Sequence, residues 1–398
     1  MPTIRDRLFD SAIKNTIPLT SAFELTPICN FACKMCYVRK TTEEVKCAGG
    51  LKSLDFWIDI ARQAKEAGTL FPLLTGGETF LYPHIRELYE EMCKMGMQVS
   101  INSNGSCINE NTIRWLKEMP PARINITLYG GSNKSYEKLC GDAYGFDKVR
   151  HGVDLLAKND IRFKFNCSLT PDNAHDVEKM IDFTKRYGMK LRIATYMFPP
   201  VRRTGQSGDY PERFSPEEAA YYQVLVDWKQ LSPERFAILA KNAQHFTELT
   251  PDVIENLNNK EPRKMTCMAG KCSYWVDWQG NLSGCGMMDI PKIDLQEHSL
   301  KDAWQQLVNW TQNLRYSSIC GNCVNRPVCF SCAAMVHNET GSFDGRPVYL
   351  CEKARYSAKY YREFMSRLPK EILRSVEESQ TKQEEQRCLF DEDDTNQL

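Results

Sequence analysis

Three cysteines stand within eight residues, Cys29, Cys33 and Cys36, in the spacing C-x3-C-x2-C. Three thiolates so close can hold three corners of a four-iron cluster, and this stretch offers no fourth ligand to the last iron. That iron is open to a substrate or cofactor. A structural zinc site is the competing reading, but such sites are closed by four protein ligands. Neither a fourth cysteine nor a histidine lies within ten residues of Cys36.

Cysteine is concentrated a second time far downstream. Cys267-x4-Cys272, Gly280-x4-Cys285, Cys320-x2-Cys323-x5-Cys329-x2-Cys332 and then Cys351 give eight thiols, the number that closes two four-iron clusters completely. C-x2-C pairs also serve zinc ribbons, so spacing alone leaves zinc open here. The triad upstream favours iron and sulfur. The other six of the seventeen, Cys47, Cys93, Cys107, Cys140, Cys167 and Cys388, are assigned no role, a small buried hydrophobe being the default.

Residues 21–197 must position the triad. They alternate short β-prone runs with longer amphipathic stretches, the pattern of repeated βα units around a parallel sheet. Strands are expected at 22–25, 70–74, 98–102, 123–128, 162–169 and 190–196, and six fit a partial barrel. Between them Ser53 precedes a helix, Pro83 opens another and Gly96 closes it. Chemistry in such folds sits at the carboxyl ends of the strands.

The polar motifs fall there. After the second strand comes Thr75-Gly76-Gly77-Glu78-Thr79, where glycines let backbone approach a ligand and a carboxylate can accept from an ammonium group. The third ends Asn102-Ser103-Asn104-Gly105, whose hydroxyl and amide groups suit sugar hydroxyls, and the fourth ends Thr127-Leu128-Tyr129-Gly130. Each alone is ordinary turn chemistry. Asn166 on the fifth strand is a further candidate, against the simpler reading of a buried asparagine with backbone partners. Residues 198–208 read as a loop, 215–218 as a helix start, 231–264 as a helical bridge and 352–378 as a helix. The acidic tail 383–398, with Cys388, reads as disordered.

Composition excludes other classes. Fifty-one basic residues balance fifty-one acidic ones, so neither a nucleic-acid footprint nor a membrane-binding basic block is present. With no signal-peptide apolar region and no apolar run near the roughly 18 residues that spanning needs, the chain is expected to be soluble and cytoplasmic. Apolar content of 42% can bury a real core.

The triad resembles the cluster-binding signature of the radical S-adenosylmethionine superfamily, with Met35 where an aromatic residue is usual. The resemblance implies that Gly76, Gly77 and Glu78 hold the methionyl amine, with Thr79 replacing the usual proline. Ser103 and Asn104 would lie beside the ribose, and Thr127 near the methionyl carboxylate. Lys138 stands about where relatives place a carboxylate-pairing arginine, although a solvated helix-face lysine is its simpler reading. The downstream cysteines resemble the SPASM extension of enzymes that modify peptides and proteins, one residue short between Cys329 and Cys332. By that resemblance one auxiliary cluster takes Cys267, Cys272, Cys285 and Cys332, and another Cys320, Cys323, Cys329 and Cys351.

The implied fold is α/β, a partial (β/α)6 TIM-type barrel with a small cysteine-rich SPASM domain. The expected segments are an extension (1–19), the barrel (20–210), a helical bridge (211–264), the SPASM domain (265–355) and a C-terminal helix and tail (356–398). The implied cofactors are three 4Fe-4S clusters and S-adenosylmethionine, cleaved to a 5′-deoxyadenosyl radical that abstracts a substrate hydrogen. The expected reaction is oxidative maturation of a ribosomally made peptide, giving a crosslink or thioether, with an electron donor such as flavodoxin or ferredoxin. The twenty or so residues before the first strand are expected to be too few for an added leader-recognition domain, leaving leader capture to a strand edge or a separate leader-binding protein. The alternatives are a modifier of a small molecule or haem precursor, and an iron-sulfur carrier without radical chemistry. Sulfatase-maturing relatives carry aspartate where this chain has Gly286; Asp289 is near but not equivalent.

Overall fold

A computed structural model describes residues 3–376 except 205, 206, 209–211, 266 and 289. Cys388, the tail 383–398 and Asp289 lie outside the described residues. The chain forms two compact units, one of residues 1–214, 253–322 and 331–347, the other of 215–252, 323–330 and 348–398. These boundaries differ from the expected segments.

The first unit is built on one sheet. Strands β1 (Thr20–Glu24), β2 (Phe71–Thr75), β3 (Ser100–Ser103), β4 (Arg123–Thr127), β5 (Phe163–Ser168) and β6 (Leu191–Ala194) lie side by side in chain order and all parallel. They fall within two residues of the expected positions. The sheet does not stop at β1: β7 (Ser273–Val276) pairs parallel with its other edge, and β8 (Asn281–Ser283) and β9 (Ile293–Asp294) continue antiparallel. The start of the region read as a separate cysteine-rich domain therefore extends the barrel sheet, because β1 would otherwise present an open edge.

Side chains alternate across these strands with period two. Phe23, Leu74, Ile101, Ile124, Ile126, Phe163, Phe165 and Cys167 are buried. The residues between them are polar: Asn102, Asn125, Lys164, Asn166 and Ser168. Closed barrels fill this inner face with branched aliphatics; here Asn125 and Lys164 line a cavity at one end of the strands, and Asn102 and Ser168 one at the other.

The helices follow their signals. Leu54–Glu66 is capped by Ser53, whose hydroxyl accepts from Phe56 N, and buries Trp57 against Phe23 with ring centroids 5.7 Å apart. The expected 198–208 loop contains a helical turn, Val201–Thr204.

In the second unit, helices Pro216–Gln230, Pro233–Ala243 and Val348–Met365 share a core of Val224, Phe236, Ala240, Tyr361 and Phe364. Ser215 opens the first with a reciprocal capping box to Glu218. The last starts before the expected 352 and ends at Met365, four residues ahead of Pro369. Among the described residues no helix is long and apolar enough to cross a membrane.

Candidate active site

The triad segment leaves the carboxyl end of β1 and is fastened from two sides. Helix Asn133–Cys140 ends against it, with Ala32 N donating to Cys140 O at 2.7 Å and Lys34 N to Leu139 O at 3.2 Å. On the other side Gly77 N donates to Thr26 O at 2.7 Å and Glu78 N to Ile28 O at 2.9 Å.

This explains the paired glycines differently from the ligand approach expected of them. A Cβ at Gly76 would stand 2.4 Å from Thr26 O, and one at Gly77 would stand 2.5 Å from Ile28 O. The close neighbour is the backbone leading into Cys29. Gly77→Ala should therefore destabilise the protein by about 2 kcal/mol or more, since the obstacle is backbone that cannot rotate away. Urea denaturation of wild type and variant measures it.

Cys29, Cys33 and Cys36 line one cavity of about 360 Å³ at the carboxyl ends of the strands. Donors point at their sulfurs, the surroundings that metal-bound thiolates require. Phe31 N donates to Cys29 Sγ at 3.4 Å, Arg39 N to Cys36 Sγ at 3.3 Å, and Asn104 Nδ2 approaches Cys29 Sγ at 3.7 Å. Cys140 and Tyr129 donate to Cys33 and bring its thiol below the ordinary range against the effect of burial, whereas burial pushes Cys29 up to about 12. The donor set fits an iron-sulfur cluster.

Gly76, Gly77, Ser103, Asn104 and Thr127 share this cavity with the triad. Glu78 does not line it. Its carboxylate is fully buried in the wall and accepts from Ser103 Oγ at 2.9 Å, Asn104 N at 2.7 Å and Phe80 N at 3.1 Å. It joins the β2 and β3 ends. Burial nevertheless pushes its pKa up to about 7, against those three donors. The folded state thus holds this proton more tightly than the unfolded chain, whose value is 4.5. The contribution to stability is complete below the unfolded value and declines as pH rises through the folded one, by about 3 kcal/mol in all. In Glu78→Gln the decline between pH 4.5 and 7 should flatten, as read by chemical denaturation across that window.

Asn166 also lies off the cavity. Lys164 lines the cavity at the amino ends of the strands and Ser168 the one at the carboxyl ends, so Asn166 faces the barrel interior between them. Lys138 is half exposed and pairs with Asp172 at 2.9 Å, beside Lys34 at 2.8 Å, in line with a solvated helix-face lysine.

Several lining residues were not singled out from sequence. Thr75, Asn102, Tyr129 and Ser168 belong to the cavity; the first three lie within the motifs read at strand ends, and Ser168 is two residues beyond Asn166 on the same face of β5. Asn102 donates to Thr75 Oγ1 at 3.2 Å and accepts from Asn125 Nδ2 at 2.7 Å, while Asn125 Oδ1 accepts from Arg123 Nε at 3.0 Å. Met287 also reaches the cavity from beyond Cys285, with no signal in the sequence.

Behind the triad, Arg202 and Glu24 form a buried bidentate pair at 2.8 and 2.9 Å. Trp275 Nε1 donates to Glu24 at 3.1 Å, Arg202 donates to Gly286 O at 2.9 Å, and its guanidinium lies over the Tyr37 ring. The pair links the residue after Cys36 to the residue after Cys285.

Of the downstream cysteines, Cys267, Cys285 and Cys332 lie near enough to interact through charge, Cys272 also feels Cys267, and Cys285 and Cys332 receive backbone N–H groups at their sulfurs. Cys272 is buried in an apolar cluster with Ala12 and Leu19, packed by Leu8, Phe9 and Ile13. Cys320 belongs to the first unit and Cys323, Cys329 and Cys351 to the second.

Residues 23–184 match the family model of the radical SAM superfamily. The chain is 21% identical over 340 residues to an AdoMet-dependent heme synthase of Methanosarcina barkeri, covering 82% of this chain and 94% of that protein. It is 22% identical over 296 residues to the antilisterial bacteriocin subtilosin biosynthesis protein AlbA of Bacillus subtilis, covering 74% and 60%. Among solved structures it resembles Streptococcus suis SuiB bound to S-adenosylmethionine, with TM-score 0.60, 16% identity and coverage of 87% of this chain and 79% of that one. SuiB has also been solved bound to its precursor peptide SuiA.

Proposed function

The chain belongs to the radical SAM superfamily, and from that premise we propose that the cavity around Cys29, Cys33 and Cys36 is where a ribosomally made peptide is oxidatively modified. The observation that carries this reading is that three thiols and the Ser103, Asn104 and Thr127 side chains surround one cavity at the strand ends. Relatives named for bacteriocin biosynthesis and for maturation of a sporulation killing factor, and the SuiB complex with a precursor peptide, support a peptide substrate.

Proteins of this fold bind a 4Fe-4S cluster and S-adenosylmethionine. When bound, the two supply a 5′-deoxyadenosyl radical that takes a hydrogen atom from the substrate. In this reading Cys29, Cys33 and Cys36 hold three irons, and the Gly76-Gly77 backbone, Ser103, Asn104 and Thr127 hold S-adenosylmethionine. Glu78 is a positioning residue, keeping Ser103 and Asn104 in place. Asn166 has no contact in this reading. Cys267, Cys285 and Cys332 would hold an auxiliary cluster, which would supply an electron acceptor beside the site; Cys272 serves as packing. An electron donor of the flavodoxin or ferredoxin class, and a strand edge or separate protein for the leader, complete it. Iron and sulfide analysis of reconstituted protein reads the cluster number directly, and this reading expects two.

The haem synthase relative, matched over most of both chains, favours a haem precursor as the second reading. Reduced, anaerobically reconstituted protein incubated with S-adenosylmethionine should release 5′-deoxyadenosine. Candidate precursor peptides, taken from genes beside its own, should lose hydrogen mass in the same reaction. Turnover of a haem precursor with no peptide product would transfer the assignment to the second reading, and absence of 5′-deoxyadenosine would overturn both.

A further inference from the structure

The amino ends of the strands enclose a second cavity, of about 540 Å³. Its size is ordinary for a small-molecule site. Its charge is not ordinary for a protein with zero formal net charge. Arg5, Arg123 and Lys164 line it, and among the described residues no aspartate or glutamate does.

These cations face one another. Burial and then the neighbouring charges of Arg5 and Arg192 lower the Arg123 pKa, and burial and then Arg123 and Arg192 lower that of Lys164. The Arg5 guanidinium lies over Phe9 and Phe71, 5.5 and 5.8 Å from the ring centres. Asp6, whose carboxylate feels Arg5, is held by Thr3 N and Oγ1, each at 2.8 Å. Arg123 donates to a neutral amide, Asn125.

Neutral donors complete the wall. Gln98 and Ser100 line the cavity, as does Ser21, 5% exposed, beside apolar Phe71 and Leu73 and the thiol of Cys285. The Ser21 hydroxyl neighbours the Tyr274 phenol but closes no hydrogen bond of ordinary geometry. Like charges gathered in a partly buried site raise the energy of the folded protein, and an anion among them lowers it.

We propose that this chamber binds a small polyanion, a molecule carrying two or more phosphate or carboxylate groups. The inference does not rest on the radical chemistry proposed above. Several charges are matched to the site because three cations, from helix Ile4–Asn15, β4 and β5, line one chamber without a carboxylate among the described residues.

The test titrates full-length protein with inorganic pyrophosphate and with citrate, at constant ionic strength set with sodium chloride, by calorimetry and thermal shift. At least one should bind wild type saturably and raise Tm. Pyrophosphate binding assigns the phosphate class, and citrate binding the carboxylate class. In Arg5→Gln/Lys164→Gln the affinity should fall at least about tenfold, with Tm in the absence of ligand equal to or above wild type because repulsion has been removed. If the double variant does not fold, Lys164→Gln alone should weaken the same titration. Saturation by neither ligand, or a variant that binds as wild type does, overturns the proposal.

Discussion

Cys33→Ser should abolish 5′-deoxyadenosine release, leaving only the signal of a protein-free control. The argument is one of ligand supply. The cavity offers three thiols from one segment, and a hydroxyl does not replace a thiolate on iron. Cys33 is also the thiol that its surroundings favour as thiolate, through donation from Cys140 and Tyr129. Tyr129→Phe removes one of those donors while keeping the ring, so it should weaken cluster retention about 10- to 100-fold rather than eliminate it. Iron content after desalting and chromatographic quantification of 5′-deoxyadenosine check both variants. Full turnover by Cys33→Ser would place the cluster elsewhere.

Arg202→Ala should cost about 3–5 kcal/mol of stability, because it leaves the Glu24 carboxylate buried without its partner. Glu24 is 1% exposed and Arg202 10%. Lysine at 202 should not rescue, since a single ammonium cannot reproduce two parallel bonds to Glu24 and a third to Gly286 O. The double variant Glu24→Gln/Arg202→Met should recover much of the loss, as replacement of whole buried ion pairs by neutral groups often does. Urea denaturation of the four proteins decides. A loss below about 1 kcal/mol in Arg202→Ala would show the pair to be as weak as a surface one. If the downstream cysteines hold a cluster as proposed, Arg202→Ala should lose that iron more readily than wild type, because Arg202 also holds the residue after Cys285.

Where chemistry constrains spacing, the sequence was legible. Cys29, Cys33 and Cys36 share one short segment, so their spacing already limits what they can bind together. The six strands were visible from their alternation, and Ser103, Asn104 and Thr127 lie in the cavity because strand ends converge there. Residue type does not disclose where a side chain turns. Glu78 has the composition of a ligand contact, yet its carboxylate joins two loops. Cys272 has the spacing of a metal ligand, yet its side chain is packed among aliphatic and aromatic groups. Arg202 lay in a segment read as loop, and its partner Glu24 is 178 positions away. Only three-dimensional proximity pairs them. The joining of β7 to β1 was hidden for the same reason, being a pairing between strands about 250 residues apart.

The polar row across β2, β3 and β4 has a direction. A guanidinium only donates, so Arg123 Nε obliges Asn125 to present its amide oxygen, and Asn125 can then pass on only its NH2. Asn102 must receive that group on oxygen and offer its own NH2 to Thr75. Neither amide can be reversed without setting donor against donor. The sense of the whole row is dictated from its cationic end, and Thr75, an acceptor from Asn102, still has its O–H to donate and one lone pair to offer in the cysteine-lined cavity.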